Sequence, residues 1–70
     1  MELIDFRIPD YKEYEFVQEF QNILKTENIN CSQWDVEKGG NEPTTVKIPD
    51  YAIERMSEEG LKLLNSFVIK

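Results

Sequence analysis

The sequence predicts an α+β fold: a two-layer sandwich in the order β-α-β-β-α, with the helices on one face of a mostly antiparallel sheet. Three observations predict it. Leu3–Ile8 and Asn30–Glu37 alternate apolar and polar residues, the period of a half-buried strand, and Thr44–Ile48 is rich in β-branched residues. Apolar residues recur at helical spacing after Asp10 and again after Asp50. Finally, Phe6-Arg7-Ile8-Pro9-Asp10-Tyr11 returns as Val46-Lys47-Ile48-Pro49-Asp50-Tyr51, each time between a strand-like and a helix-like run.

The first strand, Leu3 to Ile8, sets Ile4, Phe6 and Ile8 on one face and Leu3, Asp5 and Arg7 on the other. Pro9 restricts the residue before it to extended backbone, and Asp10 is a favoured helix N-cap, with Glu13 three residues on completing a capping box. The helix buries Phe16, Val17, Phe20, Ile23 and Leu24, and Asn28 suits a left-handed stop. The second strand, Asn30 to Glu37, turns Ser32, Trp34 and Val36 to the core, with Trp34 as its anchor. Lys38 to Pro43 carries the Gly and Asn chemistry of a hairpin, from which Thr44 to Ile48 returns.

After Asp50 the stripe Ile53, Met56, Gly60, Leu61, Leu64 and Phe67 fits a second helix with Leu63 at its flank. Ser57 is able to cap a new helix there, and Gly60 suits a bend or a close approach to the sheet, so one bent helix and two short ones both satisfy the pattern. If Phe67 to Lys70 pairs as a short fourth strand, the order becomes β-α-β-β-α-β, the split βαβ arrangement. The repeated phrase then marks two halves related by a pseudo-twofold axis.

Seventy residues suffice for a single domain, 1–70. With 14 Asp and Glu against 8 Lys and Arg the net charge is -6, which argues against direct binding to nucleic acid phosphates or an anionic membrane. The apolar content of 40% is too high for a disordered acidic tail. The chain has no His, so it lacks the commonest general base and transition-metal ligand. Cys31 is its only cysteine; without a second Cys or a secretory signal it points to a reducing, cytoplasmic setting and forms no zinc cluster within one chain.

No arrangement of residues suggests catalysis. Neighbouring acids such as Glu13 with Glu15, or Glu58 with Glu59, do not share a helix face, and Gly39-Gly40 lacks the rest of a phosphate loop. Asp35, Glu37 and Glu42 follow no calcium-loop pattern. A non-enzymatic protein without metal or cofactor is therefore expected.

Two surfaces are candidates for docking. One is the acidic face of the first helix with its aromatic start: Tyr11, Glu13, Tyr14, Glu15 and Glu19. The other is the open face of the sheet, where Leu3, Asp5, Arg7, Cys31, Gln33 and Lys47, with Asp35 and Thr45, would meet another protein or a second copy. The expectation is a small acidic binding or regulatory protein acting through protein–protein contact, its partner a protein with a basic surface or a second copy of the chain. The alternatives are an acidic inhibitor or anti-defence factor from a phage or other mobile element that imitates nucleic acid charge, and a homodimeric small-molecule sensor.

Overall fold

A computed structural model describes residues 1–69. The elements are β1 (Leu3–Ile8), a 3₁₀ turn (Asp10–Lys12), α1 (Glu13–Thr26), β2 (Asp35–Gly39), β3 (Glu42–Pro49), α2 (Asp50–Arg55) and α3 (Glu58–Asn65). The strands form an antiparallel sheet in the order β1-β3-β2. Its inner face gives Ile8, Val46 and Ile48 to a core closed by Phe16, Phe20 and Ile23 of α1, Ala52 of α2, Leu64 of α3, and Met56 between the last two helices. The α+β sandwich read from periodicity is thus the fold that forms.

Pairing between β1 and β3 explains the repeated phrase. Phe6 and Val46, the first residues of its two copies, lie directly opposite one another. A local twofold axis normal to the sheet therefore passes through that pair, and the copies run outward from it in opposite directions. Both end in the same bend: Pro9 has φ -60° and ψ 138°, Pro49 φ -59° and ψ 142°. Proline fixes φ, and this extended geometry turns the chain out of the sheet into a helical segment.

The symmetry breaks one residue later. Opposite Ile8 lies Thr44, whose hydroxyl donates to the Asp10 carboxylate at 2.8 Å. Opposite Ile48 lies Ile4, which has no hydroxyl, and Asp50 instead accepts from the backbone N–H of Tyr51 at 2.8 Å. Asp10 is accordingly not the cap that its position predicts: it opens a 3₁₀ turn, α1 begins only at Glu13, and neither N-cap is made by a side chain. An acid committed to a hydroxyl in the sheet is not available to the first turn of the helix.

At its other end α1 stops as the sequence predicts. Asn28 takes φ 55°, the N–H of Ile29 donates to Leu24 at 2.8 Å, and that of Asn28 donates to Lys25 at 3.3 Å. These two bonds form a Schellman motif, and Ile29 beside Leu24 supplies its apolar contact. Ser57 realises its capping potential, accepting from Gly60 N–H at 3.1 Å, so the second helical stripe is two short helices.

Two strands depart from expectation. Residues 30–34 are not strand, and β2 begins at Asp35. The chain is still leaving the Schellman turn there, with Ile29 in the core and the half-buried Trp34 set edge-on to Phe20 at 5.3 Å. Seating that large ring against α1 holds the segment off the sheet. A fourth strand does not form over residues 67–69, and Lys70 lies outside the described residues. One bond marks its place: Ile69 N–H donates to the carbonyl of Arg7 at 2.8 Å. The apolar run is occupied otherwise, because Phe67 packs edge-on against Phe16 at 5.7 Å and pulls the chain toward the helices.

Candidate functional site

On α1, Tyr14, Glu15, Gln18 and Glu19 occupy neighbouring positions of two successive turns, flanking the stripe that buries Phe16, Phe20 and Ile23. The adjacent α3 buries Leu64 and leaves Leu63 at its edge, and the chain then lays the half-buried Phe67 against Phe16. Between them lies a groove of about 310 Å³ with Tyr14, Leu63 and Phe67 as its apolar part and Glu15 and Glu19 as its acidic rim. Tyr14 is 74% exposed and Leu63 38%.

The electrostatics of the groove are one-sided. Ion pairs among the described residues join Lys38 to Glu13 at 3.5 Å and Lys47 to Glu37 at 3.4 Å, so neither Glu15 nor Glu19 has a cation. Lys12 lies nearby, but its ammonium sits 5.9 Å from the ring centres of both Tyr11 and Phe67. The expected helical cluster therefore divides. Tyr14, Glu15 and Glu19 line the groove; Tyr11, 82% exposed, stands outside it beside Lys12. Glu13 turns to the hairpin, where its Oε1 is buried with Lys38 as its one charged neighbour.

The sheet surface is differently built. Leu3, Asp5, Arg7 and Lys47 do share the face away from the helices, in the rows Asp5–Lys47–Asp35 and Arg7–Thr45–Glu37. Charges of both signs share these rows, and Lys47 pairs with Glu37 across them at 3.4 Å, so the face has no single sign. Cys31 and Gln33 are not part of it, because their segment is not strand. Gln33 is exposed in the connection, and Cys31 packs half-buried against the core. There the Cys31 thiol, with burial second, holds the Tyr51 hydroxyl above its usual value of 10.0, opposed by the Arg55 charge; the Arg55 guanidinium lies 5.6 Å from the Tyr51 ring.

No three His, Cys, Asp or Glu side chains among the described residues gather as a metal site, and no described helix is long and apolar enough to cross a membrane. Leu63 and Phe67 are the apolar groove residues that sequence reasoning leaves out of its docking surfaces. Their signal is weak: Leu63 sits off the helical stripe, and Phe67 fits both a helix and a strand. Comparison with family models, curated proteins and solved structures finds no match.

Proposed function

We propose that the protein is a non-catalytic binding protein that acts by protein–protein contact, using the groove between α1 and α3. One observation carries this reading: Tyr14, Leu63 and Phe67 form an apolar strip in contact with two carboxylates, Glu15 and Glu19, that have no cation of their own among the described residues. A partner presenting an apolar side chain flanked by Lys or Arg would bury the strip and supply the missing charges. Aromatic surface gives such contacts most of their affinity, whereas rim charges speed encounter and select the partner.

The test is affinity capture from cells with three forms of the full chain as bait. A protein with a basic surface is expected on the wild type and on Lys47→Glu, and lost on the double variant Glu15→Lys, Glu19→Lys. Capture that survives the double reversal, or that needs Lys47 instead, overturns this assignment of the surface.

A further inference from the structure

The two edges of the sheet are unequal. β2 is short, its register shifts between Glu37 and Gly39, and Asp35, Glu37 and Lys38 crowd it with charge, all of which discourage another strand. β1 is less guarded: its six residues pair with β3 without a register shift, it contains no proline, and its charges are Asp5 and Arg7 alone.

Backbone direction identifies the open groups. The carbonyl of Glu2 accepts from Asp50 on the β3 side, whereas that of Arg7 accepts from Ile69 on the outer side. Even-numbered residues of β1 thus address β3 and odd-numbered ones face out. With Arg7 engaged, the N–H and C=O groups of Leu3 and Asp5 remain open among the described residues. Exposed apolar side chains gather at the same edge: Met1, Leu3, Ile4 and Ile69.

We propose that β1 pairs with β1 of a second copy, antiparallel about a twofold axis through Ile4, to give a continuous six-stranded sheet. Self-complementarity selects this occupant. Rungs from Leu3 to Asp5 of the copy, formed twice by symmetry, use the open backbone groups and spare Arg7. In that register Ile4 meets Ile4 across the axis, Leu3 lies opposite Asp5 of the copy, and Met1 reaches the end of the contact at Arg7, beside the Ile69 that bonds there. Asp5 lies opposite Lys47 on β3, whose ammonium pairs with Glu37 at 3.4 Å, and across the new contact it faces Leu3 of the copy rather than another acid. This edge is distinct from the groove, and neither assignment depends on the other.

A contact this small predicts a concentration-dependent dimer, strengthened by salt because each copy carries a net charge of -6. Sedimentation equilibrium of the full chain tests it. The mass is expected to climb toward twice that of one chain as concentration or salt is raised. Asp5→Pro deletes an N–H that faces away from β3, so it should keep the circular dichroism of the wild type and remain a monomer. Independently, Ile4→Cys in a Cys31→Ser background should form a covalent dimer under mild oxidation, because facing non-hydrogen-bonded residues lie within disulfide reach. Leu3→Cys in that background should not, being two residues out of register. A wild-type chain that stays monomeric throughout, a dimer untouched by a folded Asp5→Pro, or cross-linking at Leu3 rather than Ile4 overturns the proposal.

Discussion

Glu27, where α1 ends, holds Ser57, where α3 begins: its carboxylate accepts from the Ser57 N–H at 2.7 Å and from the Ser57 hydroxyl at 2.8 Å. The same hydroxyl accepts from Gly60 N–H, so one acid orders the cap that starts α3. A Cβ on Gly60 would come within 2.9 Å of Glu27 Oε2 and 3.3 Å of Ile23 Cγ2. Glycine here permits the two helices to meet.

Glu27→Ala should therefore cost about 1–2 kcal/mol, near the loss of a helix cap. Gly60→Ala should destabilise as well, although alanine in an open helix would gain up to about 1 kcal/mol over glycine. In the double variant the gain should partly reappear, because the carboxylate is no longer in the way. Urea unfolding of the two single variants and the double checks this: simple additivity would show that Glu27 is not what excludes the side chain.

Thr44 is completely buried, and its hydroxyl has Asp10 as its partner. Asp10→Ala leaves a buried hydroxyl without an acceptor and should cost about 1–2 kcal/mol. Asp50→Ala, at the symmetry-related position, removes only a bond to the next residue and should cost clearly less. Thermal unfolding of the two variants compares them, and equal losses would mean that the Thr44 bond contributes nothing particular.

Tyr51 gives a pH prediction. Its folded pKa lies above the ordinary 10.0, with the Cys31 thiol as the first cause and burial as the second. The fold thus favours the neutral phenol. This contribution is fully present below the unfolded value and is lost as pH rises through the folded one. Cys31→Ala should lower the Tyr51 titration toward the ordinary value, as followed by carbon NMR of labelled tyrosine. A titration that does not move would remove the thiol as the cause.

How far the sequence foretells these features depends on how locally each is determined. β1 and the Asn28 stop are legible, because a few adjacent residues specify each of them, whereas the Ser57 cap is legible only as one of two options, since Glu27, thirty positions away, holds it. The start of α1 is not, because Asp10 satisfies every local rule for a cap, yet its carboxylate is taken by Thr44, thirty-four positions away. Residues 30–34 alternate like a strand, but seating Trp34 against Phe20 outweighs that pattern. For the groove, Tyr14, Glu15 and Glu19 are visible as one helical face. Leu63 and Phe67 join them only through the packing of α3 beside α1, a relation absent from either helix alone.

The hairpin separates two glycines that are equivalent by composition. Gly40 has φ 67° and nothing within 4 Å of where a Cβ would lie, whereas a Cβ on Gly39 would come 2.8 Å from both Glu42 Cβ and the Pro43 carbonyl oxygen. At Gly40 only the backbone conformation resists substitution, so Gly40→Ala should cost about 1–2 kcal/mol and Gly40→Asn less, since asparagine tolerates positive φ. At Gly39 the obstruction is the facing strand itself, at the pair Gly39–Glu42 that closes the turn. Gly39→Ala must therefore move the strands apart, at about 1–3 kcal/mol, and Gly39→Asn should offer no relief there. Chemical denaturation of all four variants tests the distinction. If asparagine rescues position 39 as well as 40, conformation rather than steric contact governs both sites.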